Sequence, residues 1–214
     1  MSYPPVSYRD RDRDPDAAAR LMRARPFAHL FTAGPAGLRA TRLPLIHDPS
    51  PDGPGRLRGH LHGANPQCDG LNGADALAAF SGPDLYVPPA WRGETGRAPS
   101  WAYTAVHVRG RARVRDEPAF IDRLMEDLAA AGAASLGEAG DGVAWRLHQV
   151  TEEYRARLYP LITAFEIEIA DIEPLAKIEG DHSDAARRTV AENFAQHGGE
   201  DGAALTALIR EELG

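Results

Sequence analysis

The stretch "WAYTAVHVRGRARVR" (residues 101–115) decides the fold, because its chemistry changes at every second residue. Ala102, Thr104, Val106, Val108, Ala112 and Val114 are small or apolar, whereas Trp101, Tyr103, His107, Arg109, Arg111, Arg113 and Arg115 are aromatic or basic. A period of two places each set on its own side of an extended chain, so this is a half-buried strand. "LITAFEIEIADI" (161–172) alternates in the same way. Upstream, "FAHLFTA" (27–33) and "GLRATRLPLI" (37–46) flank a Gly34-Pro35 turn and read as a hairpin. "DPSPDGPG" (48–55) is a loop leading into a strand "RLRGHLH" (56–62). "ALAAFSG" (76–82) and "DLYVPP" (84–89) are two further short strands, and "RGETGRAPS" (92–100) is a loop of the kind that borders sites.

Helices surround these strands. Asp14-Pro15 is an N-cap followed by proline in the first turn and opens a helix to about Arg25. "EPAFIDRLMEDLAAAG" (117–132) is a helix that Gly132 ends. "SLGEAGDG" reads as a linker and "AWRLHQVTEEYRARL" as a helical candidate, and two helices near 184–196 and 200–213 flank a Gly198-Gly199 break. Six or seven short strands with helices before, between and after them give a mainly β chain with helices (α+β), a small β-barrel with helical decoration. Strands and helices do not alternate, which argues against a doubly wound α/β fold. The expected organisation is one domain over residues 1–180 and a C-terminal helical extension over 181–214.

The 214 residues suffice for a substantial core. The formal charge of −7 and the lack of a helix-turn-helix pattern argue against nucleic acid as a partner. No apolar run reaches a membrane span, and "MSYPPVSYRDRDRDPD" lacks the apolar core of a signal peptide, so a cytoplasmic location is expected. The single cysteine, Cys68, excludes an internal disulfide framework and a cysteine-rich metal site. Arginine supplies all basic residues except Lys177, so arginine counts alone say little about function. Dinucleotide, P-loop, nucleophile-elbow and zincin signatures are absent.

Chemistry concentrates in "GHLHGANPQCDGL" (59–71). On a strand, Arg58, His60 and His62 share one face. They are either cofactor or metal contacts or a solvated barrel face. Asn65-Pro66 opens a turn into a short helix and either offers backbone N–H groups to an anion or simply forms the turn. Cys68 reads as a small buried residue. On the 101–115 strand, Trp101 and Tyr103 would form an aromatic wall for a planar cofactor, with His107 and Arg109 at its polar edge. The alternative is an exposed strand face whose arginines guard against mispairing. Tyr86 and Trp91 either join that wall or pack the barrel end.

Taken in order, "RPFAHLFT", "GLRATRLPLIHD", "GRLRGHLHGANPQ", "FSGPDLYVPPAW", "PSWAYTAVHVRGRARV" and "ITAFEIEI" resemble the PaiB-like family of FMN-binding negative transcriptional regulators over roughly residues 3–180. The resemblance implies a split β-barrel of the FMN-binding, pyridoxamine-phosphate-oxidase-like type. It also implies a homodimer with cofactor clefts at the subunit interface. Some relatives with this barrel bind haem, and one branch resembles piperazate synthases. The sequence departs from the family pattern where G-H-L-A-R-A-N-P becomes "GHLHGANP", so that His62-Gly63 replaces Ala-Arg. It departs again where T-H-L-P-L becomes "TRLPL", which puts Arg42 in place of a histidine.

The lost arginine and the gained His62 lead to the first functional expectation, a haem b-dependent biosynthetic enzyme resembling piperazate synthase. It would cyclise N5-hydroxy-L-ornithine by N–N bond formation. In that reading His60 or His62 is the axial metal ligand, and Arg42 or Arg58 holds the propionates. Asn65, Trp101 and Arg109 complete the cofactor contacts, while Tyr103 and His107 are the catalytic proton carriers. The alternative is an FMN-binding PaiB-type regulator or flavin redox protein.

Overall fold

The computed structural model describes residues 16–34, 37–137, 142–143 and 145–214. The expected Asp14-Pro15 helix start, Pro35 of the first turn and half of the 135–142 linker fall outside them. The elements are α1 (Ala17–Ala24), β1 (Phe27–Gly34), β2 (Gly37–Pro44), β3 (Ile46–Ser50), β4 (Gly53–His62), β5 (Asp75–Val87), β6 (Ser100–Val114), α2 (Pro118–Ala134), α3 (Glu152–Leu158), β7 (Ile162–Lys177), α4 (Asp184–His197) and α5 (Gly199–Leu213). The seven strands form one sheet in the order β2-β1-β5-β6-β7-β4-β3. Every strand pair with a resolved register is antiparallel.

Three sequence expectations need correction. The strand placed over 37–46 breaks after Pro44, where the Leu45 N–H turns to the Pro26 carbonyl and β3 begins at Ile46. The supposed loop 48–55 is the tip of a β3–β4 hairpin, in which Asp48 pairs with Arg56 and Ser50 with Gly53. Its prolines are tolerated there because it sits at a sheet edge and contains a bulge. The two short strands at 76–82 and 84–89 are the single strand β5. Pro83, which cannot donate a hydrogen bond, falls beyond Phe80, where pairing with β1 has ended.

Among the described residues the chain divides into two compact units. One comprises Ala19–Phe80 and His107–Ile172. Its core is built from alternate strand residues such as Ala28, Leu30, Leu57, Leu61, Phe80, Val108, Phe165 and Ile167, all 2 % exposed or less. Gly59 is needed in this core, since a Cβ there would lie 2.6 Å from Leu45 Cδ2 and 3.2 Å from the Phe165 ring. In the same unit Ile121 and Leu124 of α2 pack with Ala164 of β7.

The other unit comprises 16–18, Ser81–Val106 and Glu173–Gly214. Val190, Ala191 and Phe194 of α4, with Leu205 and Ile209 of α5, form one apolar cluster with Val87, Ala102, Ala176 and Ile178. The C-terminal helices therefore share a core with 81–106 and 173–180. Arg92 and Glu179, 87 positions apart in the chain, make a buried bidentate pair in this unit. Glu179 holds it from a left-handed backbone, φ 65°. No helix among the described residues is long and apolar enough to cross a membrane.

Candidate functional site

The row Arg58, His60, His62 does lie on one face of β4, but α2 covers much of it. Arg58 donates to both Asp48 carboxylate oxygens (Nε 2.6 Å, Nη2 2.7 Å) and from Nη2 to Asp127 of α2 at 2.7 Å. Its side chain is 3 % exposed. Burial alone would push the Asp48 carboxyl up, yet the hydrogen bonds from Arg58 and Arg56 outweigh it and hold Asp48 below its ordinary value. Arg58 thus locks β3, β4 and α2 together, and two carboxylates already occupy the fork expected to hold propionates.

His60 pairs across the sheet with Ala164, which packs against Ile121 and Leu124 of α2. Burial lowers its pKa and favours the neutral imidazole, whose Nδ1 is buried without a hydrogen-bond partner. His62 is exposed, and its Nδ1 accepts the Ala64 N–H at 3.1 Å. In the neutral ring this fixes the proton on Nε2, so neither nitrogen presents a free lone pair to a metal. A ligating histidine has the opposite arrangement, donating from its second nitrogen. Among the described residues no three His, Cys, Asp or Glu are placed to hold a metal ion.

In the turn after His62 the backbone N–H groups are engaged within the protein, as the turn-forming reading of Asn65-Pro66 has it. Gly63 N–H goes to Leu161 O, Ala64 to His62 Nδ1, Asn65 to His62 O, Gln67 to Asn65 Oδ1, Cys68 to Asn65 O and Asp69 to Pro66 O. Pro66 has no N–H, so every donor from 63 to 69 is used. The side chains of the turn reach elsewhere: Asn65 Nδ2 donates to Thr41 Oγ1 of β2 at 3.0 Å, and Gln67 Nε2 donates to Leu30 O and Thr32 Oγ1 of β1, both at 3.1 Å. Gln67 is 1 % exposed. Nothing in its sequence position marked it, apart from following Asn65-Pro66. Cys68 is half-buried, its thiol 3.5 Å from His62 O.

The open face of this unit belongs to β2, β1, β5 and the β6 residues from 107 on. On β1 the even residues 28–32 are buried, while Phe27, His29, Phe31 and Ala33 are exposed. His29 sits opposite Arg42 of β2 on one side and Ala79 of β5 on the other. Phe31, Leu38, Leu77, Arg109 and Arg111 line one groove of about 800 Å³. His107, two residues before Arg109 on β6, shares its side of the strand. Arg42 and His107 thus belong to this face, apart from the Arg58 row.

The charges on the open face differ in availability. Arg109 meets Asp171 at 3.2 Å, and Arg111 Nε donates to Gly73 O. Arg56, Arg58, Arg113, Arg115, Arg123 and Arg155 in this unit are likewise tied to carboxylates. Exposed Arg42 has no carboxylate partner among the described residues. Its guanidinium lies 5.2 Å from the centre of the Phe27 ring, and the neighbouring His29 and Phe31 rings stack at 6.3 Å.

In the other unit Trp101 is 53 % exposed and meets Tyr86 edge-on at 5.9 Å, with half-buried Tyr103 two residues further along β6. Ser100 Oγ is 2.6 Å from Lys177 Nζ. Trp91 stacks on His197 and meets Phe194 edge-on, so it serves packing.

Comparison with known proteins places this geometry. Residues 2–171 match the family described as "Putative FMN-binding domain", and α4 and α5 lie beyond the match. The chain is 24 % identical over 175 residues to the protease synthase and sporulation protein PAI 2 of Bacillus subtilis, covering 81 % of each. It is 26 % identical over 190 residues to an uncharacterized protein of Aspergillus fumigatus, covering 74 % of this chain and 73 % of that one. Among solved structures it is similar to the flavocytochrome Anf3 from Azotobacter vinelandii (TM-score 0.53, 14 % identity, 77 % of this chain and 67 % of that one). It is also similar to an FAD and heme binding protein from Mycobacterium smegmatis (TM-score 0.51, 16 % identity, 73 % and 68 %). These likenesses show the fold, the split barrel that the sequence leads one to expect.

Proposed function

The chain belongs to the FMN-binding domain family, and on that premise we propose that it binds FMN on the open face of β1 and β2, with Arg42 receiving the phosphate. The observation that carries this reading is the availability of Arg42. It is an exposed cation without a carboxylate partner among the described residues, set beside the Phe27, His29 and Phe31 rings. A guanidinium suits a phosphate and the rings suit a planar heterocycle. FMN, when bound, supplies reversible electron and hydride chemistry. In this reading His107 and Arg109 are contacts at the polar edge of the same face. Phe27 is 51 % exposed, Phe31 38 % and Leu38 82 %, an apolar share of surface that supports a second copy of the chain as partner.

The test is a titration of purified protein with FMN, followed by flavin fluorescence. Arg42→Ala should weaken binding by about 10- to 100-fold, the usual value of a hydrogen bond to a charged group. Unchanged affinity in that variant would remove Arg42 from the site.

The haem reading, cyclisation of N5-hydroxy-L-ornithine by N–N bond formation, has one observation in its favour: burial keeps the His60 imidazole neutral. The rest of the row does not fit. Arg58 is held by Asp48 and Asp127, His62 accepts a backbone N–H, and α2 packs on Ala164, the residue opposite His60. Added hemin distinguishes the readings, since a Soret band shifted by the protein and lost in His60→Ala would favour haem.

A further inference from the structure

We propose that Asn65 and Gln67, in the turn after β4, are positioning residues that aim Arg42 at the ligand phosphate without touching the ligand. The inference rests on the FMN reading above. Among the described residues β2 ends the sheet and is hydrogen-bonded to one neighbouring strand, β1. Five of its eight residues, Gly37 to Ala40 and Arg42, are exposed, so pairing to β1 alone leaves the strand weakly held. The turn supplies a second attachment, through the Thr41 side chain.

Asn65 bonds Thr41, the residue immediately before Arg42. Gln67 bonds Leu30 and Thr32, the residues flanking Phe31 on β1. One turn therefore grips both strands of the open face through side chains that point inward. The outward residues between those grips are Arg42 and Phe31. Because side chains alternate, fixing Thr41 inward fixes Arg42 outward. With its backbone N–H groups already used, the turn has no backbone donor to spare for the ligand itself. Its effect on binding has to pass through β1 and β2.

The experiment compares FMN with riboflavin, which lacks only the phosphate, by fluorescence titration. The ratio of their affinities reports Arg42 alone. Wild type should prefer FMN, and Arg42→Ala should bring the ratio close to one. Thr41→Val keeps the shape of the strand and the asparagine cap but removes the acceptor for Asn65. It should lower the ratio about three- to ten-fold with riboflavin affinity unchanged, and Thr41→Ser should restore it. Gln67→Leu should lower the ratio in the same direction. If Arg42→Ala abolishes the preference while Thr41→Val and Gln67→Leu retain the wild-type ratio, the positioning role is refuted and the FMN reading stands. If wild type shows no preference, or Arg42→Ala keeps it, Arg42 does not receive the phosphate and this inference falls with that assignment.

Discussion

Replacing Arg58 separates the two roles open to it, cofactor clamp and structural lock. Its three charge-assisted hydrogen bonds tie Asp48 and Asp127 to a guanidinium that is 3 % exposed on its side chain. Breaking a fully buried pair costs about 3–5 kcal/mol, most of it from the charge left behind. Here the carboxylates are not sealed in: the Asp48 and Asp127 side chains are 23 % and 38 % exposed. Each also keeps a second cation, Arg56 at 3.1 Å and Arg123 at 3.7 Å. Both effects reduce the penalty, so Arg58→Ala should cost about 2–3 kcal/mol. In a protein of this length that is roughly 5–10 °C in melting temperature. Thermal melts by circular dichroism measure the loss, and FMN titration should show affinity within about twofold of wild type. A variant that melts like wild type yet loses cofactor binding would refute the structural role and return Arg58 to the cofactor.

Two further perturbations test the packing. Burial lowers the His60 pKa, so the unfolded chain takes up a proton at a higher pH than the folded one. The contribution of the neutral ring is complete above the unfolded value of about 6.5 and is lost as pH falls toward the folded value. Urea midpoints of wild type and His60→Leu should therefore diverge between pH 7.5 and 5, with wild type falling more steeply, and parallel curves would contradict the burial. Arg92→Met leaves Glu179, whose side chain is 2 % exposed, with only His182 Nε2 at 3.7 Å beside it among the described residues, and should cost up to about 3–5 kcal/mol. Adding Glu179→Gly removes both the orphaned charge and the left-handed strain, so the double variant should melt higher than Arg92→Met alone.

Local patterns made much of the fold readable. The alternation in 101–115 and 161–172 gave β6 and most of β7, and the helix expected over 117–132 is α2, which runs past Gly132 to Ala134. The failures have a common physical source, a tertiary partner that no local window contains. The hairpin at 48–55 was masked by its prolines, which an edge strand accepts. Once its register is known, Asp48 falls opposite Arg56 and within reach of Arg58, and the arginine of the supposed cofactor row becomes a structural lock. The equivalence of Arg58, His60 and His62 was a correct statement about one strand, but whether a helix covers that strand was illegible. Gln67 was missed because a buried glutamine looks like any surface glutamine until Leu30 and Thr32 are placed beside it. The Arg92–Glu179 pair spans too many residues to be seen from either end.

The two departures from the family pattern acquire a joint meaning once the strands are assembled. Relative to the pattern, an arginine is lost at position 63 and a histidine gained at 62, while at 42 a histidine is lost and an arginine gained. Taken separately, the first leads to the haem reading. Yet the Asn65–Thr41 hydrogen bond brings these two segments together. If the two changes are linked, the arginine at 42 stands in for the one missing at 63. The reverse exchange tests this. Arg42→His should weaken FMN binding roughly as Arg42→Ala does, by about 10- to 100-fold. Adding Gly63→Arg should recover a large part of that loss. Gly63 accepts a side chain, since its nearest neighbour to a Cβ is Leu161 O at 3.4 Å. Titration of FMN into both variants decides the matter. A double variant that binds no better than Arg42→His would mean that the two changes are unrelated and that position 42 alone carries the phosphate contact.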